Sequence, residues 1–281
     1  MKISLVAEMS SYQQQRKRSS LESIRQSLTQ RLDELRTSLA FFTRLPVSLK
    51  RPMPPADSTK LFQNSFWAAP IAGLIVGLVA LAGAWTGSVL NLPALSAVLA
   101  LSVATVITGG LHEDGLADLA DACGGANKAK RLDIMKDSRI GSFGVCALIL
   151  WFLAAFICLE AFAGAKVLMP VLIWTAIVSR GLLPLALRLI PSGSTNGIAR
   201  QAKGISWLTV AFAMIFCGLS TAITGYWLAL MVVVIGQLFL YLLAWRLIGG
   251  ATGDVFGAAQ KIGELAGYLA LVGMVSQGTI A

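Results

Sequence analysis

Three aspartates, Asp114, Asp118 and Asp121, follow one another at spacings of four and three residues in the segment LHEDGLADLADACGG. On an α-helix this spacing places all three carboxylates on one face, with neighbouring Cβ atoms about 5–6 Å apart. Like charges this close repel one another, so a cation between them would stabilise the arrangement. Oxygen ligands without a thiolate or a histidine cluster suit Mg²⁺, Mn²⁺ or Ca²⁺ better than zinc. The segment therefore predicts a divalent-cation site.

The segment that follows, AKRLDIMKDSRIGSFG, mixes acids with bases. Its charged residues include Asp133, Asp137, Arg131, Lys136 and Arg139. Gly124 and Gly125 would end the first helix and let the chain fold back, which would set basic side chains beside the metal. A metal together with Lys or Arg is the usual apparatus for a diphosphate. The simpler alternative is a solvated helical hairpin with surface ion pairs.

His112, the only histidine, stands with Glu113 and Asp114 directly after an apolar run. An ionisable group at the end of a membrane span is costly to place there and usually has a function, which favours a functional site over a solvated hairpin. His112 could act as a general base, because an ordinary imidazole titrates near pH 6.5, or it could orient an aspartate. The orienting or structural role is favoured, and Glu113 is not assigned as a ligand.

A second candidate segment, RLIGGATGDVFGAAQKIGELAGY, lies after the sixth apolar run. Its glycines would let the backbone approach a ligand closely, and Thr252, Gly253 and Asp254 would supply polar groups. It is neither a Walker loop nor a dinucleotide-binding glycine motif. Asp254 and Glu264 are the only carboxylates after Glu160. We therefore expect the two segments to be used together.

The elements that must position these residues are membrane helices. The chain is 56% hydrophobic and only 13% charged, with a mean hydropathy of +0.72, whereas soluble domains carry about 25% charge. We predict an all-α polytopic membrane bundle of about six or seven spanning helices. The apolar runs cover residues 66–90, 94–110, 142–162, 167–190, 206–224, 226–248 and, more weakly, 263–280. Gly73, Gly77 and Gly83 in the first run predict close helix packing.

The charge distribution predicts the orientation of the bundle and argues against nucleic acid as a partner. The net charge is +9, but Lys and Arg concentrate in residues 1–60 and in alternate loops between the apolar runs. This is the positive-inside pattern of a protein in contact with membrane lipid. It predicts a multi-pass membrane protein, with the N-terminus and all loops that carry candidate site residues on the cytoplasmic side.

The chain is predicted to have two parts. Residues 1–60 form a basic, cytoplasmic N-terminal extension, and residues 61–281 form the polytopic membrane domain. Within the extension, residues 1–20 are expected to be disordered, and apolar residues spaced by three or four from Leu21 to Phe42 predict an amphipathic helix. We favour a position of this helix on the membrane surface over packing against a partner.

The chain resembles a known family. The pattern H-x-D-G-L-A-D-x-x-D at residues 112–121, followed by R-L-x-I-M-K-D-S-R-I-G-S-F-G at 131–144, is similar to the signature of the cobalamin synthase (adenosylcobinamide-GDP ribazoletransferase) family. FFTRLPV at 41–47, Arg180 after Ser179, and GGATGDVFGAAQKIGE at 249–264 support the resemblance. It extends from about residue 40 to the C-terminus, whereas residues 1–39 exceed the family pattern.

The resemblance implies that adenosylcobinamide-GDP and α-ribazole, or its 5′-phosphate, give adenosylcobalamin, or its 5′-phosphate, and GMP with Mg²⁺. It assigns catalytic roles to Asp114 and His112. The residues implied at the metal are Asp114, Asp118, Asp121 and Asp137. The residues implied at the phosphates or nucleotide are Arg131, Lys136, Arg139, Thr252, Gly253 and Asp254. Homo-oligomerisation is left open.

Two alternatives remain at this stage. A CDP-alcohol phosphotransferase-like lipid enzyme uses aspartates in a comparable way, but its D-G-x-x-A-R start is missing from DGLADLAD. A corrinoid or metal transporter is the alternative from a different class. Transporters place charges within broken spans near the bilayer midplane, whereas Arg180 is the only charge well inside a run here and the sequence suggests no broken-helix pair.

Overall fold

The computed structural model describes residues 2–47, 55–193 and 197–278. Within these ranges the chain is helical, and one isolated bridge between Ser192 and Ala251 is its only β-type pairing. The helices are α1 (Lys2–Phe42), α2 (Pro55–Ser65), α3 (Ala69–Val89), α4 (Pro93–Thr108), α5 (Leu111–Ala122), α6 (Lys128–Ile134), α7 (Ser142–Gly164), α8 (Leu168–Gly181), α9 (Leu183–Leu189), α10 (Ile198–Gln201), α11 (Trp207–Thr224), α12 (Trp227–Ile248) and α13 (Gly253–Ser276). Short 3₁₀ turns cover Phe66–Ala68 and Ala202–Gly204.

The predicted all-α membrane bundle is confirmed. In the part of the chain that the structure describes, five helical stretches are each long and apolar enough to cross a membrane: Asp57–Val89, Ser142–Gly164, Leu168–Leu189, Trp207–Thr224 and Trp227–Ile248. The bent pair α4 and α5 adds a sixth candidate. Residues 263–276 of the seventh predicted run belong to α13, a helix of 24 residues. This helix is not among these candidates, and its charged residues Lys261 and Glu264 are buried against other helices.

A bend of 90° separates α4 from α5. The two residues between these helices, Gly109 and Gly110, have φ angles of 66° and 69°, a conformation that costs glycine little. The side chain of Arg44 packs against Gly109, and the Arg44 amide donates to the Ile107 carbonyl at 2.7 Å. The expectation that the chain has no broken-helix pair is therefore wrong, because a double glycine turns α5 away from the axis of α4.

Close packing through small residues positions the spans. Gly73 and Gly77 lie against the backbone of α8 at Ala176 and Ile173, and Gly83 lies against α4. A Cβ atom at Gly77 would lie 2.9 Å from the Ile173 Cα atom, too close without movement of a helix. The predicted packing role of these glycines is confirmed, and it fixes α8, which carries Arg180, beside the first span.

The N-terminal helix α1 is continuous from Lys2 to Phe42, so the prediction of disorder over residues 1–20 is wrong. That segment contains no glycine or proline, and Lys, Gln, Arg and Glu sustain a helix well. The predicted amphipathic helix is the second half of α1. Its apolar residues are exposed at Leu21 and Leu28 and become buried at Phe42. The predicted boundary between the N-terminal extension and the membrane domain, at residues 60 and 61, falls inside α2.

Candidate active site

The two candidate segments meet where α5 crosses α13. A Cβ atom at Gly115 would lie 2.5 Å from the Asp254 carbonyl oxygen, and one at Gly257 would lie 3.4 Å from the His112 Cα atom. Only residues without a side chain let two helices approach this closely. The expectation that the two segments are used together is supported, because this crossing places Asp254 beside Asp114.

Three carboxylates, Asp114, Asp118 and Asp254, form what we call the carboxylate cluster. Asp114 is exposed and the other two are partly buried, on residues that lie outside the five apolar stretches. Partial burial, followed by the negative charges of Asp114, Asp254 and Asp121, raises the pKa of Asp118 to about 7. Burial also raises the pKa of Asp254. A hydrogen bond from Thr252 lowers this pKa, but burial has the larger effect. A bound cation would therefore stabilise the charged form of these carboxylates.

The cluster fits Mg²⁺ only if the substrate supplies further ligands. Among the described residues, no group of three or more His, Cys, Asp or Glu side chains is arranged to hold a metal by itself. The four aspartates predicted at the metal are thus not assembled as one protein-only site. Mg²⁺ is usually held by one or two carboxylates together with water and substrate phosphates. The oxygen donors of Asp114, Asp118 and Asp254 match this chemistry.

Asp121 and Asp137 make other contacts. Asp121 accepts hydrogen bonds from the amides of Gly141 and Gly144, at 2.7 and 2.8 Å, and so caps the N-terminus of α7. Asp137 pairs with Arg139 at 2.7 Å on an exposed loop. Hydrogen bonds from Arg139 lower the pKa of Asp137 to about 2. The sequence pattern does not distinguish a carboxylate that binds amides from one that binds a metal.

The basic limb predicted beside the metal lies against the C-terminal end of α12. Arg131 donates to the Leu247 carbonyl at 3.2 Å, and the ammonium group of Lys128 packs against Gly249. Cations stabilise a helix C-terminus, where carbonyl groups lack intrahelical donors. Lys136 is exposed. Arg131 and Lys128 therefore lie next to the turn that leads into α13. The Leu247 carbonyl is a structural partner of Arg131 that the sequence did not predict.

The turn before α13 is held by Thr252 and Asp254. Thr252 is the N-cap residue, and its hydroxyl accepts from the Val255 amide at 3.4 Å. The same hydroxyl donates to the Asp254 carboxylate at 3.2 Å. Gly253 is the first residue of α13. Three of the six residues predicted at the phosphates or nucleotide, Thr252, Gly253 and Asp254, thus form the N-terminus of a helix, where free amides favour anions.

A second loop supports this turn. Ala251 exchanges backbone hydrogen bonds of 2.9 Å with the loop after α9, donating to Pro191 and accepting from Gly193. The loop that follows α9 is therefore fixed next to the turn before α13. Together with the contacts of Arg131 and Lys128, this pairing brings the loops after the second, fourth and sixth apolar runs to one end of the bundle.

A buried ion network lies under the cluster. Lys261 on α13 contacts Glu113 at 2.9 Å and Glu264 at 2.8 Å, and Arg180 on α8 contacts Glu264 at 3.2 Å. The Lys261 ammonium group also lies 3.5 Å from the centre of the Trp151 ring. Sequence reasoning did not predict these pairs. The available signal was the presence of charges inside apolar helices, because such charges are almost always paired.

An apolar cavity of about 80 Å³ opens beside the cluster. Its aromatic walls are Phe41, Phe42, Phe66 and Phe256, and Asp114 and Asp254 also line it. His112 also lines the cavity, only 2% exposed, with its ring parallel to that of Phe42 at 6.0 Å. This position supports the orienting or structural role of His112 over that of a solvent-exposed base.

The close approach at Gly115 predicts a large effect from a single methyl group. We expect Gly115→Ala to lower the free energy of unfolding by about 1–3 kcal/mol, because the added Cβ atom meets backbone that must shift. Chemical denaturation in detergent would measure this. The matched control is Gly164→Ala, at the end of α7, where a Cβ atom meets nothing within 4 Å. Equal stability of the two variants would contradict the crossing geometry.

Known proteins are similar to this chain over the segments that form the site. Residues 34–272 match the family described as cobalamin-5-phosphate synthase. The chain is similar to the adenosylcobinamide-GDP ribazoletransferase of Bradyrhizobium diazoefficiens, with 38% identity over 83% of this chain and 90% of that protein. Proteins of the same name from Mesorhizobium japonicum and Brucella ovis are 35% and 38% identical, over 84% of this chain and 91% and 94% of their own lengths. No solved structure matches the chain significantly.

The family match includes α5, α13 and the loops between them, so it covers both segments that meet at the carboxylate cluster. It also begins inside α1, which leaves the first 33 residues outside the matched range. The extent of the family match and of its relatives, together with the all-helical membrane fold, leads to one conclusion. The chain belongs to the cobalamin-5-phosphate synthase family.

Proposed function

We propose that this chain joins adenosylcobinamide-GDP to α-ribazole, or to its 5′-phosphate, and releases GMP. Family membership makes it a membrane transferase of cobalamin synthesis. The observation that carries the finer proposal is the carboxylate cluster, in which α5 and α13 bring Asp114, Asp118 and Asp254 to one end of the bundle. Relatives named for this reaction support the choice of substrates.

The reaction moves a phosphoryl group between two oxygen atoms. A ribose hydroxyl of α-ribazole bonds to the phosphorus that bears the cobinamide arm, and the bond from that phosphorus to the GMP oxygen breaks. The hydroxyl proton passes to a carboxylate of the cluster or to water. The chain must therefore hold a diphosphate, orient a hydroxyl and stabilise the negative charge of departing GMP.

Asp114, Asp118 and Asp254 would hold Mg²⁺ with the substrate diphosphate. When bound, the ion supplies charge neutralisation at the diphosphate oxygens. Thr252 and Gly253 form the N-terminus of α13 beside this position, where backbone amides favour a phosphate. Lys136 is exposed and available to a phosphate, whereas Arg131 and Arg139 must share or exchange their present partners, Leu247 and Asp137.

In this proposal Asp121 and Asp137 are not ligands of the metal ion, although they were expected there. Asp121 fixes the start of α7 against α5, and each of its oxygens retains a second lone pair. Asp137 neutralises Arg139 in the absence of substrate. Binding of a phosphate by Arg139 would release Asp137.

The site is proposed to face the cytoplasm from the bacterial inner membrane. The loops that join the site carry most of the basic residues outside the N-terminal extension, and such loops remain on the cytoplasmic side. The exposed apolar face of α1 around Leu21 and Leu28 would then lie on the inner membrane surface, among lipid headgroups.

The test is release of GMP by the purified protein in lipid nanodiscs. We expect adenosylcobinamide-GDP and α-ribazole to give GMP and adenosylcobalamin in equal amounts, measured by liquid chromatography. Removal of divalent ions with a chelator should abolish release, and Mg²⁺ should restore it, because the cluster alone cannot neutralise a diphosphate.

Two controls make the result specific. Omission of α-ribazole should prevent GMP release, which separates transfer from hydrolysis. CDP-diacylglycerol with an alcohol acceptor should give no CMP, which separates this activity from that of a lipid-synthesising enzyme. The proposal fails if wild-type protein with Mg²⁺ and both substrates releases no GMP.

A further inference from the structure

We infer that the aromatic cavity beside the carboxylate cluster binds the flat, apolar base of the acceptor, the dimethylbenzimidazole of α-ribazole. The inference rests on the proposed function, because the ligand is one of its two substrates. It assigns a binding role to Phe42, Phe66 and Phe256, to which neither the sequence motifs nor the comparisons give a role.

The walls of the cavity include four phenylalanine rings, three of which contact one another. Phe42 contacts Phe41 and Phe66 through edge-to-face arrangements, with ring centres 4.8 and 6.1 Å apart. Its ring is also parallel to that of His112, with an angle of 10° between the planes. Phe256 closes the cavity from α13 and contacts Tyr241 at 5.6 Å. These mutual contacts hold the rings in place, so an aromatic ligand would bind without reordering them.

The polarity of the cavity favours the acceptor base over guanine. Of the described side chains that line it, only His112, Asp114 and Asp254 are polar, and the two aspartates belong to the cluster. Guanine would leave several edge donors and acceptors without partners in such a cavity, at a cost of about 1–3 kcal/mol each. Dimethylbenzimidazole presents two methyl groups and a single free ring nitrogen. The His112 Nδ1 atom is buried and has no hydrogen-bond partner among the described residues, and it matches that nitrogen in chemistry.

The position of the cavity relates the base to the reaction. Asp114 and Asp254, two members of the carboxylate cluster, are among the residues that line the cavity. A base inserted with its methyl groups towards the phenylalanines would thus carry the ribose hydroxyls to the carboxylate cluster, where the diphosphate is proposed to bind.

The experiment is a steady-state comparison of Phe42→Leu and Phe256→Leu with wild-type protein in nanodiscs. We expect each variant to raise the KM for α-ribazole about tenfold, because stacking area and ring shape are lost. The KM for adenosylcobinamide-GDP should stay within about twofold of wild type. The matched control is Phe62→Leu, since Phe62 contacts Phe41 and Phe66 at 5.4 and 5.1 Å but does not line the cavity. It should leave both KM values unchanged.

A binding measurement separates this inference from the proposed function. Titration of wild-type protein with α-ribazole alone, without donor or Mg²⁺, should give saturable binding by calorimetry that Phe256→Leu weakens about tenfold. If wild-type protein binds α-ribazole in this way but releases no GMP, the proposed function fails and this inference stands. If GMP is released but the two cavity variants keep the wild-type KM for α-ribazole, or raise only the KM for the donor, this inference is overturned and the function stands.

Discussion

Asp114→Asn is expected to lower the rate of GMP release by about 10³-fold, or about 4 kcal/mol of transition-state stabilisation. Asp114 is the most exposed member of the carboxylate cluster and lies next to Asp254 and the apolar cavity. An amide keeps the size of the side chain but removes the charge that we propose holds a divalent cation. The loss should therefore appear in kcat with both substrates saturating, because an interaction made chiefly in the transition state has been removed.

The matched control for this variant is Asp133→Asn. Asp133 lies 19 residues further along on α6 and is exposed, and it is not among the groups that raise the pKa of Asp118. It should retain wild-type activity within about threefold, since surface charges away from such sites have small effects. Full activity of Asp114→Asn, or equal losses in both variants, would remove the cluster from the mechanism.

Lys261→Met is expected to destabilise the protein by about 3–5 kcal/mol, because it leaves a buried carboxylate without a partner. Lys261 is the only described cation within 4 Å of Glu113, and it also contacts Glu264. Arg180 would still pair with Glu264, so the unpaired charge would be that of Glu113. Equilibrium unfolding in mixed detergent micelles would measure the change.

A second substitution distinguishes the charge from the packing of this lysine. Lys261→Met combined with Glu113→Gln removes the unpaired charge, so the double variant should be more stable than Lys261→Met alone. Lys203→Met, at an exposed lysine, should change stability by no more than about 0.5 kcal/mol. If Lys261→Met unfolds at the same detergent composition as wild type, the ion network does not stabilise the crossing of α5 and α13.

The local features of the site could be predicted from sequence because they depend on neighbours along the chain. The spacing of Asp114, Asp118 and Asp121 defines one face of a helix, and α5 includes all three. The apolar runs likewise match helices that cross the bundle. The small residues of the first span predicted close packing because few other interactions bring two membrane helices together.

The features that depend on tertiary contacts could not be predicted in the same way. Asp121 was expected at a metal, yet its two oxygens bind amides 20 and 23 residues away. Glu113 was left unassigned, and its partner Lys261 lies on a helix 148 residues later in the chain. Neither pairing has a periodicity to detect. The crossing of α5 and α13 at Gly115 brings Glu113 to Lys261, and the approach of α7 to α5 brings Gly141 and Gly144 to Asp121.

One measurement tests most directly the claim that α5 and α13 together form a cation site for the diphosphate. Electron paramagnetic resonance would follow Mn²⁺ binding to chelator-washed protein in the presence of adenosylcobinamide-GDP. We expect wild-type protein and Asp133→Asn to bind Mn²⁺ alike, whereas Asp254→Asn should bind it at least about tenfold more weakly. Unchanged Mn²⁺ affinity in Asp254→Asn would contradict a cation site formed by both helices, because the site would then not include α13.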